Sequence, residues 1–248
     1  MRDYENVIVV KNFGTIVENL EKATRIDKFV LYSNVRMKKL SILLLFALSL
    51  PVIWAFMPVQ DFEGQIHFTR TKGEKVTQYT YTVKGSHLRV DEYDANGKTK
   101  GVLLVDWELN TVIALSPERK IWMDAYNNRT GITANSRIHK TENTKTIQGY
   151  ECNEWVVRNE NEGREIHFWI GGSEFGFFPK AVKTMNRKDK ISKYYRAIDD
   201  PGPGFPMIGE ELNLDGKLIT KLEVTKVEVK NIDAAVFDIP SGYTEFDK

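Results

Sequence analysis

The stretch that decides the fold is Gln65 to Tyr93, QIHFTRTKGEKVTQYTYTVKGSHLRVDEY. Its apolar and aromatic residues recur every second position and its turns fall at Lys72-Gly73 and Lys84-Gly85, so it reads as three antiparallel strands. Gln65 to Thr71 puts Ile66, Phe68 and Arg70 on one face. Val76 to Lys84 puts Tyr79, Tyr81 and Val83 on one face and Gln78, Thr80 and Thr82 on the other, the pattern of a half-buried strand. His87 to Tyr93 follows, and Asn96-Gly97, a strong hairpin signal, leads into Gly101 to Trp107.

The same cadence continues with Thr111 to Leu115, a Ser116-Pro117-Glu118 turn and Lys120 to Met123. It lapses over Asp124 to Thr141, a polar stretch read as a connection or short helix, and resumes with Lys145 to Ile147, Tyr150 to Arg158 and Arg164 to Ile170. Such short connections place sequence neighbours side by side in the sheet. Phe175, Phe177 and Phe178 read as an aromatic cluster in a loop before a strand at Ala181 to Met185, with a short helix over Asp189 to Ala197. Asp200 to Pro206 holds three prolines and two glycines and reads as irregular. A hairpin of Glu211 to Leu214 and Leu218 to Lys230 closes the sheet, with a slip near Thr225 that suggests a bulge or a twist. Phe237, Ile239 and Tyr243 around Pro240 look like a plug for one end of the core. The fold class is α+β, mainly β.

Upstream, Met37 to Phe56 reads MKKLSILLLFALSLPVIWAF and is laid out as a secretory signal peptide. Lys38 and Lys39 form the basic region, Leu40 to Leu50 the apolar region, and Ile53 with Ala55 stand three and one before a cut after Ala55. The competing reading is an uncleaved inner-membrane anchor through residues 40–57, interrupted by Pro51. Phe56 follows the cut where a lipoprotein requires cysteine. The expected division is therefore a start assigned too far upstream for 1–36, a signal peptide at 37–55, and one domain at 56–248, exported to the periplasm.

Removing 1–55 leaves 193 residues with 27 Lys or Arg against 29 Asp or Glu. That near-neutral balance carries no footprint for nucleic acid or an anionic membrane. The single cysteine, Cys152, precludes an internal disulfide and reads as a small buried hydrophobe. No phosphate loop, HExxH, CxxC, GxSxG or EF-hand spacing occurs, so neither an enzyme activity, a metal nor a cofactor is expected. His67, His87, His139 and His167 are the only imidazoles, and Asn128-Arg129-Thr130 fits a glycosylation sequon.

The strand aromatics have two readings. They fill the core between sheet and helix, or a curved sheet lined by them leaves an apolar cavity. Burying a sixteen-carbon acyl chain there gains on the order of 10 kcal/mol before entropy and desolvation costs. Candidates for lining such a cavity are Phe68, Tyr79, Tyr81, Trp107, Trp122 and Phe205.

Several stretches together resemble a family of uncharacterised exported bacterial domains similar to the LolA/LolB lipoprotein carriers. They are GxIxF at Gly64 to Phe68, YTVKGSHLRVD at Tyr81 to Asp91, the strand ending in Asp106, ALSPERKIW at Ala114 to Trp122, GYECNEWVV at Gly149 to Val157 and FDIPSGY at Phe237 to Tyr243. The resemblance implies an antiparallel sheet of about ten strands, curved as an unclosed barrel around one or two helices, with an apolar cavity on its concave face. It also implies a latch arginine at Arg89 and a lid through Pro201 to Pro206. Alternation sets Arg89 opposite Leu88 and Val90, so either Arg89 points into the cavity or it is an exposed strand arginine. The implied function is a non-catalytic carrier for a lipid or lipoprotein acyl chains, with a hydrophobic small molecule, a lipidated protein or a transient envelope protein as partner. The alternative is a periplasmic interaction module with a filled core, working through a sheet edge or the Phe175 to Phe178 loop.

Overall fold

The computed structural model describes residues 61–125 and 135–246. The signal-peptide stretch, the upstream extension and the sequon lie outside them. Among the described residues no helix is long and apolar enough to cross a membrane.

The three opening strands form as their alternation requires: β1 (Gly64–Lys72), β2 (Lys75–Lys84) and β3 (His87–Tyr93). Tyr81 stands between Ile66 of β1 and Val90 of β3 in register, and all three are buried. The turns between the strands use Gly73 and Gly85 at φ 58° and 54°, a region open to glycine at little cost. Thr80 and Thr82, on the other face of β2, are buried as well, a difference from the half-buried strand expected. Side chains of the flanking strands cover them: Gln65 Nε2 donates to Thr82 Oγ1 at 3.0 Å, and His67 Nδ1 lies 3.0 Å from Thr80 Oγ1.

Outward from β3 the sheet continues through β4 (Thr99–Asp106), β5 (Thr111–Ser116) and β6 (Ile121–Asp124), each antiparallel to the last. On the other side β1 pairs with β11 (Leu218–Val229), then come β10 (Phe205–Leu212), β9 (Arg164–Gly171), β8 (Tyr150–Asn159) and β7 (Arg137–Ile147). The two-residue β12 (Thr244–Glu245) joins β6 in parallel. The result is one twelve-stranded sheet with β12 and β7 at its two ends, unclosed and mainly antiparallel. The slip expected near Thr225 is a bulge: His67 faces Lys226 while Phe68 faces Val224, and Thr225 is the extra residue.

Four expectations are corrected. Ala181 to Met185 is not a strand but the end of helix α1 (Phe177–Met185). Phe177, Phe178, Ala181, Val182 and Met185 fall on one helical stripe and are buried, and Pro179 sits in the first turn, where its missing N–H is an orphan anyway. β7 is eleven residues long instead of three, because an edge strand exposed on both faces carries no apolar alternation to reveal it. β10 begins at Phe205, so the proposed lid is partly strand. Pro206 fits there because pairing with β11 starts only at Ile208, beside a register shift on the β9 side. Finally, the tail does not plug one end of the main core. Ile239 and Tyr243 pack with Trp122 on a second small cluster of Val102, Leu104 and Leu115 on the convex face.

The main core lies on the concave face under α1 and α2 (Lys190–Tyr195), the short helix expected from sequence. Asp189 caps α2: its Oδ1 accepts from Ser192 N and its Oδ2 from Ser192 Oγ, both at 3.0 Å. Asn186 ends α1 in the left-handed region at φ 44°.

Candidate functional site

The strand period carries a contiguous layer of aromatic rings across the concave face. Phe68 stacks on Tyr79 at 5.2 Å and meets Tyr81 edge-on at 4.7 Å. Tyr81 contacts Phe205 at 6.1 Å, and Phe205 lies 4.5 Å from Phe178 and 5.9 Å from Phe175. Phe175 continues to Phe62 at 5.0 Å, and Trp107 stacks on Phe177 at 6.2 Å. Tilted and edge-on pairs of this kind stabilise beyond the area they bury.

One end of the layer opens on a cavity of about 370 Å³ lined by Asp61, Phe62, Glu63, Glu174, Val229, Lys230 and Asn231. Its size falls in the range of small-molecule sites. The Phe62 ring is both wall of the cavity and member of the layer. A smaller cavity of about 160 Å³, lined by His87, Leu104, Val105, Asp106, Thr111, Ile113 and Phe237, lies elsewhere.

The opposite end of the layer, toward the β1–β2 turn, is polar. Arg70 follows Phe68 on the concave face of β1, and Glu92 stands directly across from Tyr79. Arg187, on the α1–α2 connection, lies 3.3 Å from Asp189 Oδ2 and is 28 % exposed. It also acts electrostatically on Tyr81, Tyr79 and Glu92. Burial pushes the Tyr81 hydroxyl up to about 12 against the pull of Arg187. Burial and the neighbouring Glu92 raise Tyr79 in the same direction.

One carboxylate ties α2 to the β8–β9 turn. Glu162, on the β8–β9 turn, receives Lys190 Nζ, Lys193 Nζ at 2.5 Å and the Tyr194 hydroxyl at 2.9 Å, all from α2. Burial works against its charge, but these three donors outweigh it and lower its pKa to about 2.

A second polar network occupies the convex face of β8 and β9. His167 sits between Glu154 Oε1 at 2.8 Å and Glu165 Oε1 at 2.9 Å, and Glu154 Oε2 accepts from Thr141 and Asn143 of β7. Among the described residues no group of three His, Cys, Asp or Glu side chains could hold a metal ion.

Of the seven residues proposed from sequence, Phe68, Tyr79, Tyr81, Trp107 and Phe205 meet on the concave face. All five belong to or pack against the main core, and none lines either cavity. Arg89 and Trp122 do not join them. Leu88 and Val90 are buried in the core, so Arg89 is turned to the convex face. There it grips Asp91, with Nη2 to Oδ1 at 2.8 Å and Nε to Oδ2 at 2.9 Å, and its Nη1 donates to Val236 O at 3.0 Å. It fastens the C-terminal tail and latches nothing on the concave side. Trp122 belongs to the convex cluster. Sequence reasoning missed Phe62, Glu162 and Arg187. Phe62 precedes the first alternating strand, and the other two sit in connections where no periodicity marks them.

Comparison with solved structures finds low likeness. An uncharacterised conserved protein from Thermus thermophilus shares 10 % identity at a TM-score of 0.47, over 73 % of this chain and 88 % of its own. The MucA/MucB complex of Pseudomonas aeruginosa gives 8 % identity and 0.38, over 73 % of this chain and 56 % of that one. A domain from Vibrio parahaemolyticus named for outer membrane lipoprotein sorting gives 10 % and 0.29, over 73 % and 90 %. No curated protein matches the chain. Residues 62–243 match the family model described as a domain of unknown function, DUF4412, and the chain belongs to that family.

Proposed function

We propose that this protein is an exported, non-catalytic binding protein whose concave aromatic layer takes up a hydrophobic ligand, a lipid or the acyl chains of a lipidated protein. The observation that carries the reading is continuity: the cavity of about 370 Å³ shares the Phe62 ring with the layer that runs through Phe175 to Phe205 and Tyr81. Movement of Phe62 joins the cavity to the apolar surface behind it. Each buried CH₂ then contributes about 0.8 kcal/mol. The cover is two short helices, and the described fastening of α2 to the β8–β9 turn converges on Glu162. Export to the periplasm is part of the same proposal and rests on the layout of residues 37–55.

A second reading is favoured by a specific observation. Phe68, Tyr79, Tyr81 and Phe205 touch one another closely enough to be core and nothing more, which suits an interaction module that presents its surface to a protein partner.

The two are separated by titrating the full chain with a dansyl-labelled acyl chain. Saturable blue-shifted emission, weakened when Phe62 is replaced by Asp, is the result expected of a binding protein. Absence of uptake by well-folded protein overturns that reading in favour of the second.

A further inference from the structure

The two ends of the aromatic layer carry opposite charge. At the cavity, Asp61, Glu63 and Glu174 stand with Lys230. Glu63 is already paired with Lys84 at 2.9 Å. At the other end the side chains include Arg70, Arg187 and, at the end of α2, Arg196.

The acids at that end are already engaged, one of them with an arginine of the cluster. Asp189 caps α2 through Ser192 and touches Arg187, and Glu92 faces Tyr79 and pairs with Lys100 at 3.6 Å. Arg196 has only neutral acceptors: its Nη1 donates to Asn186 Oδ1 and its Nη2 to Arg187 O at 3.3 Å. Among the described residues its buried Nε has no hydrogen-bond partner. A buried guanidinium donor without an acceptor is costly, and such a group in a native fold calls for an explanation.

Resting on the binding reading above, we infer that this basic end holds an anionic head group, a carboxylate or a phosphate, with the ligand's apolar chain lying along the aromatic rings. Guanidinium groups pair with both anions through parallel N–H donors. The acidic rim at the cavity repels the same group and fixes the ligand's direction. The head group also gives Arg196 the acceptor that its neighbours do not.

The test measures dissociation constants of the full chain for hexadecanol, hexadecanoate and hexadecyl phosphate, three probes with one chain and different heads. Wild type is expected to hold one or both anionic probes at least about tenfold tighter than hexadecanol, the effect of one charge-assisted hydrogen bond. Which anion gains more distinguishes a carboxylate from a phosphate ligand. Arg187→Gln and Arg196→Gln are each expected to bring the ratio toward one while leaving hexadecanol affinity within about twofold, which also reports that the variant is folded. Equal affinity for all three in wild type overturns the inference and leaves the binding reading standing. So does a loss in the variants that is the same for every probe, since that marks a structural role. Failure of every probe to bind overturns both.

Discussion

Glu162 accepts the hydroxyl hydrogen of Tyr194 at 2.9 Å while Lys190 and Lys193 close on the same carboxylate, so one side chain of the β8–β9 turn gathers three donors from α2. Its pKa is lowered to about 2, so the stability it supplies is complete above the unfolded carboxylate value and drains away as pH falls through about 2. Glu162→Gln is expected to cost about 2 kcal/mol at pH 7 and to flatten the pH dependence of melting between about 4.5 and 2. Thermal melts across that range check it. An unchanged slope in the variant contradicts the latch.

His167 behaves in the opposite sense. Burial disfavours its charge, but the hydrogen bonds that the imidazolium donates to Glu154 and Glu165 outweigh that and raise its pKa. A raised value means the clasp is fully present below pH 6.5, the unfolded value, and is lost as pH climbs through the folded one. NMR titration of the imidazole should find its midpoint above 6.5. The melting temperature should decline from pH 6 to 8.5 more steeply in wild type than in His167→Gln. A midpoint at or below 6.5 contradicts the arrangement.

Phe205 and Trp122 serve different faces. Phe205 is 1 % exposed and touches Phe178, Phe175 and Tyr81, so Phe205→Ala should cost about 4 kcal/mol and lower melting by about 10 °C. Conservative Phe205→Leu keeps the fold and should weaken uptake of the acyl probe. Trp122→Ala, on the convex cluster, should leave uptake unchanged. Equal effects of Phe205→Leu and Trp122→Ala on uptake would remove the concave face from the account.

Cys152 is fully buried and burial pushes its thiol up to about 11. Ellman's reagent should therefore react with native protein orders of magnitude more slowly than with protein in guanidinium chloride. Fast native reaction would show that the β8–β9 packing opens in solution.

What sequence could reveal followed burial. Tyr79, Tyr81 and Val83 alternate because one face of β2 meets the core, and the opening strands and the Thr225 bulge were legible from that period alone. β7 was not, because both its faces are exposed and nothing forces its apolar residues into register. The five residues Ala181 to Met185 fit a strand as well as a helix until Phe177 and Phe178 are counted with them. Arg89 shows the limit for the site. Alternation correctly set it opposite Leu88 and Val90, but which face held the core depended on strands far away in sequence. Glu162, Arg187 and Arg196 gain their meaning only where the helices meet the sheet.

Native mass spectrometry of the full chain purified gently from its host, followed by lipid extraction, decides whether the aromatic layer takes up a hydrophobic ligand. The expected result is an added mass that matches a fatty acid, a phospholipid or an acylated peptide and that is lost on denaturation. Bare protein that also fails to take up an acyl probe would contradict it and leave a filled core as the better description.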